Sequence, residues 1–297
     1  MIALLWGAAA HADPASFDAA DGAAPTTAGA TSPGVGGIPP EVAQIARDVR
    51  GKPLPERIGA ISAALLGRPY VADPMGEGVL PDADPFARYD AFDCLTFAEE
   101  VLALSLAGDP ADAGAVRSSL RYGDHPRDYV HRRHFMELQW IPGTIADGWL
   151  RDTTTEYGAT VVLDKQVTAA TWSAWSGRAK FAHTDAELPV GAMHLAVLPL
   201  DEALRVADTI RPGSIILTVR VDRPGVPLWT THVSLLVPGP PGQPAVLRHA
   251  TKIGNGGTRD HGFTWYLEHL KTYTNWKVLG LTVLEPIDPA PRASAAP

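Results

Sequence analysis

The chain has 297 residues, 45% hydrophobic and 20% charged, with a formal net charge of −8 and a pI near 5.6. That acidic balance, with no Lys/Arg-rich stripe carrying interleaved aromatics, argues against nucleic acid as a partner. A single cysteine leaves no disulfide framework and no cysteine-built zinc site.

The N-terminal residues 2–10 are almost wholly apolar and run into Ala10-His11-Ala12, which has the small-x-small form of a signal-peptidase site. A signal-peptide-like segment over 1–12 follows, and with it an exported protein that works in the periplasm or outside the cell. Residues 13–40 are mostly Ala, Gly, Pro, Asp, Ser and Thr, a composition that buries too little apolar surface to offset its ordering entropy, so a disordered linker is expected there. Residues 41–287 have the length and apolar content of one large domain, and 288–297 read as a flexible tail. No segment has the roughly 18 uninterrupted apolar residues of a membrane-crossing helix.

Within 41–66, Val42, Ile45, Ala46 and Val49, then Ile58, Ile61, Leu65 and Leu66, recur at helical spacing around a break at 51–55, which predicts two amphipathic helices. Residues 67–89, rich in Pro, Asp and Gly, form a long loop. A helix then opens in Phe92-Asp93-Cys94-Leu95-Thr96-Phe97 with Asp93 as its N-cap, and it is apolar round most of its circumference through Leu106. Residues 136–140 fit either a short helix or a strand. Four later runs, 215–219, 233–237, 245–249 and 278–283, are β-branched or alternating and separated by Pro/Gly punctuation. Helices first and sequential antiparallel strands second is an α+β layout, with N-terminal helices packed on a C-terminal antiparallel sheet.

Cys94, the lone cysteine, falls in the first turn of a buried helix, where free backbone amides and the helix dipole favour a thiolate. The alternative is a small buried hydrophobe. A nucleophile needs a base and a group to orient it. Of the ten histidines, His232 opens one expected strand and His249 closes the next, 17 residues on across a Pro/Gly turn. The spacing from Cys94 to His232 is 138 residues, within the roughly 130 to 150 of papain-like catalysis. Either histidine alone also fits a polar residue at a strand end.

Gly67-Arg68-Pro69-Tyr70, Phe92-Asp93-Cys94-Leu95-Thr96-Phe97, Thr231-His232-Val233-Ser234-Leu235 and Leu247-Arg248-His249-Ala250 together resemble the motifs of the NlpC-type, papain-like cell-wall cysteine hydrolases. Leu120-Arg121-Tyr122, Arg133-His134-Phe135 and Trp265-Tyr266-Leu267 are similar to a branch long filed as a domain of unknown function and understood to be N-acetylmuramoyl-L-alanine amidases. The resemblance implies a papain-like fold and no cofactor. It also implies cleavage, through a thioester, of the amide between the lactyl group of muramic acid and the first alanine of the stem peptide. Peptidoglycan or its muropeptide fragments would be the substrate. It makes Cys94 the nucleophile, His232 the base, His249 the orienter and Tyr70 a hydroxyl donor to the oxyanion. Asp93, Arg121, Tyr122, Arg133 and His134 become substrate-binding residues, the two guanidinium groups suiting stem-peptide carboxylates; otherwise Arg121 and Arg133 belong to a solvated surface.

Three rivals remain at this level. An endopeptidase cutting between γ-D-glutamate and the diamino acid would use the same catalytic residues. A metal-dependent hydrolase would draw on His125, His131 and His134 with Asp124 or Asp128, although Arg132 and Arg133 place positive charge where a cation would sit. A non-catalytic wall-binding module would have no use for a base aligned with a thiol.

Overall fold

The structure, a computed structural model, describes residues 37–289. The expected leader over 1–12, the linker as far as residue 36 and the tail from residue 290 lie outside the described residues. Helices α1 (Pro40–Val49) and α2 (Leu54–Ala63) each carry a proline in the first turn, where the missing N–H costs no helical hydrogen bond. The expected long loop follows, with isolated bridges between Tyr70 and Phe92 and between Val79 and Asp82. Helix α3 (Cys94–Leu106) begins at the cysteine and is buried at every position except Leu95. Helix α4 (Ala113–Tyr122) packs against it. Residues Met136–Trp140 are neither an ordinary helix nor a strand: they make one π-helical turn that feeds α5 (Ile141–Ala146).

The remainder is β1 (Leu150–Asp152), β2 (Val161–Val167), α6 (Ala169–Ala174), β3 (Gly191–Pro199), α7 (Leu200–Val206), β4 (Ile215–Arg220), β5 (Thr230–Val237), β6 (Val246–Thr251), β7 (Gly257–Gly262), α8 (Phe263–Lys271) and β8 (Val278–Pro286). The strands form one antiparallel sheet in the order β2-β3-β8-β4-β5-β6-β7, with β1 paired to β8. This is the mixed helix and antiparallel-sheet layout expected.

The layering differs from the expectation in one respect. Every residue of β4 is buried: Ile215, Leu217 and Val219 pack with α1 to α4, while Ile216 packs with α7 and α8 on the opposite face. Both faces of the sheet are thus covered, which explains why the central strands are apolar without strict alternation. Arg57 of α2 pairs with Asp288 just after β8, tying that segment to the helical layer. Among the described residues no helix is long and apolar enough to cross a membrane.

Candidate active site

The start of α3 is fixed by a capping box. The Asp93 carboxylate accepts from the Thr96 N–H at 2.8 Å, and the Thr96 hydroxyl accepts from the Asp93 N–H at 3.0 Å. The other carboxylate oxygen accepts from the Asp73 N–H at 3.2 Å, which secures the long loop to the same point. Asp93, fully buried, thus fixes the backbone at the start of α3. The cap puts Cys94 at the first helical position, 1% exposed, close to Val233, the residue after His232.

Burial, and next the Asp93 carboxylate, push the Cys94 thiol up to about 12. Desolvation of the anion thus opposes the thiolate that a helix start favours. Burial, and then the nearby Arg220 guanidinium, lower the His232 imidazole. Both shifts disfavour the charged thiolate–imidazolium form.

His232 lies on β5, and its Nε2 is 2.7 Å from Nδ1 of His249 on β6. The β5–β6 register pairs Leu235 with Arg248, so His249 falls opposite Ser234 and diagonal to His232. The Ser234 hydroxyl is 3.2 Å from the same Nδ1. The chain of rings does not stop there. Nε2 of His249 is 2.9 Å from Nδ1 of His261 on β7, again one diagonal further along. Three histidines therefore cross three neighbouring strands, with the Tyr266 ring of α8 against the first two. His261 drew no attention in the sequence, because 257–262 carries no strand pattern.

Tyr70 is held by the bridge to Phe92, in which the Phe92 N–H donates to the Pro69 carbonyl at 3.1 Å. Burial first, then the negative charge potential of Cys94, Asp93 and Asp73, raises its phenol, so it stays a proton donor beside the thiol. Glu137, in the π-helical turn, was likewise missed. Its Oε1 accepts from the N–H groups of Trp229 and Thr230, fixing the entry of β5 two residues before His232.

The remaining expected site residues are gathered, but inward. Arg121 donates to Glu99 at 2.6 Å and to the Phe86 carbonyl at 2.8 Å, and is buried. Tyr122 donates to Glu77 at 2.8 Å, and Arg133 ties the end of α4 to Asp147 at 2.7 Å. His134 is buried, with Nε2 on the Tyr129 carbonyl. Arg121, Arg133 and His134 line a cavity of about 30 Å³ beside Leu95 and Thr96, room for about one water. They build the wall behind α3, with the Arg121 and Arg133 guanidinium groups bonded to neighbouring carboxylates and carbonyls and the buried Nδ1 of His134 left without a partner among the described residues. The three histidines of the metal alternative do not converge: His125 and His131 stack at the surface, while His134 points into the interior.

Burial lowers the imidazoles of His134, His183, His232 and His249 below their ordinary 6.5. The folded protein holds these rings neutral while the unfolded chain protonates them, so their stabilising contribution is present above pH 6.5 and is lost as pH falls. Each contributes up to about 1.4 kcal/mol per pH unit. Glu77 and Glu137, raised by burial, act in the opposite sense but are fewer. The melting temperature should fall between pH 7 and pH 5, with net proton uptake on unfolding. A flat profile over that range would show that these rings are already protonated in the fold.

A family model described as AmiA-like, N-acetylmuramoyl-L-alanine amidase-like, matches residues 60–273. No curated protein matches. Among solved structures, a protein of Legionella pneumophila is similar with a TM-score of 0.72 at 19% identity, over 83% of this chain and 93% of that one. An N-acetylmuramoyl-L-alanine amidase from Bacteroides uniformis is similar with a TM-score of 0.62 at 20% identity, over 79% of this chain and 99% of that one. At such identities the likeness is one of fold.

Proposed function

Since this chain belongs to the AmiA-like, N-acetylmuramoyl-L-alanine amidase-like family, we propose that it is a cysteine-dependent N-acetylmuramoyl-L-alanine amidase of the papain-like kind, acting on peptidoglycan or its fragments. The observation that carries this reading is Cys94 at the start of α3, a helix packed against β5 and β6, the two strands that carry the hydrogen-bonded His232–His249 pair.

In this reading Nδ1 of His232 takes the thiol proton as Sγ attacks the lactyl carbonyl carbon. The oxyanion is met by the Cys94 N–H, one of the first amides that a helix leaves without a helical acceptor, and by the Tyr70 hydroxyl. The imidazolium then protonates the departing alanine nitrogen, the stem peptide leaves, and water deprotonated by His232 cleaves the muramoyl thioester. His249 holds His232 in place through Nε2. Asp93 serves the site by fixing the helix start. Arg121, Tyr122, Arg133 and His134 serve it by shaping the wall next to α3.

Incubation with disaccharide-peptide muropeptides and product identification by mass tests the reading. Free stem peptide together with the intact disaccharide is expected. A disaccharide that still carries Ala-Glu, with the diamino-acid end of the stem released, would assign the endopeptidase bond instead. In the same assay Tyr70→Phe should lower kcat about 100-fold with little change in KM, the cost of one oxyanion donor; an unchanged kcat would remove Tyr70 from that role.

A further inference from the structure

We propose that His261 is a positioning residue that acts through His249 to fix the tautomer of His232, and so decides whether the base presents a lone pair to Cys94. The proposal rests on the amidase reading for the identity of the base, and on the ring-to-ring hydrogen bonds for the rest.

The direction of those bonds follows from counting protons. For His232 to accept a proton at Nδ1, its Nε2 has to carry hydrogen, both before and after the transfer. Nδ1 of His249, 2.7 Å away, then has to accept. His249 is fully buried and kept neutral, first by that burial, so its one hydrogen sits on Nε2. That hydrogen needs an acceptor, and the atom 2.9 Å away is Nδ1 of His261. His261 therefore carries its own hydrogen on Nε2. The hydroxyl of Ser234, which also reaches Nδ1 of His249, can donate or accept and so does not select a tautomer. Only the His261 contact selects one.

The selection is reversible, because His261 is half-buried and lies on the sheet's last strand. When His261 is protonated, both its nitrogens are donors. Its Nδ1–H then points at Nε2 of His249, whose hydrogen moves to Nδ1 and donates to Nε2 of His232. The hydrogen of His232 is displaced to Nδ1, where the thiol proton would have gone. One proton at the strand edge thus switches the base off two residues away. The groups facing His261 are His249 from β6, Arg259 and Asp260 from β7, and His269 and the Trp265 indole from α8. Asp260 is engaged by Arg248 at 2.6 Å. Burial, then Arg259 and His269, lowers the His261 imidazole, so the switch acts below the ordinary imidazole range.

Trp265 stacks on His261 with ring centres 4.7 Å apart and on His269 at 5.2 Å. This stack gives a second reason for a ring at position 261, and the test has to separate the two. His261→Phe keeps the stack and removes the acceptor; His261→Gln removes the ring and keeps an acceptor that cannot be protonated. If the tautomer matters, Phe lowers kcat about ten- to a hundredfold, whereas Gln keeps most of it and loses the acid limb of the pH profile. A Phe variant with wild-type kcat, or a Gln variant as impaired as Phe, overturns the proposal.

A readout independent of turnover is the ring-nitrogen spectrum of full-length Cys94→Ala protein labelled with ¹⁵N-histidine. At pH 8 both His232 and His249 should carry hydrogen on Nε2, with mixed tautomers once His261→Phe is added. His249 carrying hydrogen on Nδ1 in the parent protein overturns the relay even in an active amidase. Failure of the wild type to cleave muropeptides would count against the amidase reading, and the spectra would still decide the relay.

Discussion

Cys94→Ser should lower kcat for stem-peptide release by about 10⁴-fold or more while leaving the fold intact. The side chain is nearly isosteric and the site is closed around it, with Cys94 only 1% exposed, so packing should be conserved. The chemistry is not conserved. A hydroxyl holds its proton far more tightly than a thiol, and the base available to remove it is weakened, since burial and Arg220 lower His232. Loss of the nucleophile in comparable constellations removes nearly all of the rate enhancement that does not come from binding and oxyanion stabilisation. Kinetics on a soluble muropeptide, with a thermal melt as the control for folding, make the comparison. A serine variant within tenfold of wild type would end the cysteine mechanism.

Arg117→Ala should be the most damaging single change to stability. Glu100 is fully buried on α3, and both its carboxylate oxygens accept from the Arg117 guanidinium, which also donates to the Tyr89 hydroxyl at 2.8 Å. Removing Arg117 leaves the buried Glu100 carboxylate with only the Arg121 guanidinium, 3.5 Å away and already engaged by Glu99, so the cost approaches the ~3–5 kcal/mol of a broken buried pair. For a chain of this size that corresponds to a drop in melting temperature of about 6–20 °C. The double change Arg117→Met with Glu100→Leu should recover most of the loss, because the desolvated charge goes with its partner. A drop below about 2 °C in the single variant would mean that water reaches Glu100. Arg121 and Glu99 form a second such pair on the same helix, with the Trp140 indole N–H donating to Glu99 at 3.0 Å.

These pairs mark where sequence reasoning stops. The first three helices were legible because apolar spacing and the Asp93 cap define them locally, and β4, β5, β6 and β8 because central strands are made of β-branched runs. Strands β2 and β7 are edge strands, with Asp164, Lys165 and Gln166 in one and Thr258, Arg259, Asp260 and His261 in the other. Their hydrogen-bond ladders, not their side chains, make them strands. His261 went unseen for that reason, and because its place in the site depends on register across two ladders. The inward course of Arg121 is not legible because nothing in a linear sequence shows that Glu99 and Glu100, in a largely apolar helix, turn inward to meet arginines. The π-helical turn hid Glu137, a carboxylate whose importance comes from two amide groups more than 90 residues away.

The diagonal of histidines also bears on how the molecule assembles. Side chains alternate between the faces of a strand, so a slip of one residue between β5 and β6, or between β6 and β7, would turn a histidine to the opposite face. A chain with the right helices and a misaligned edge would be compact and inert. Specific activity per mole of folded protein therefore counts molecules whose two outer ladders closed in register, and refolding yields judged by compactness alone should exceed those judged by turnover.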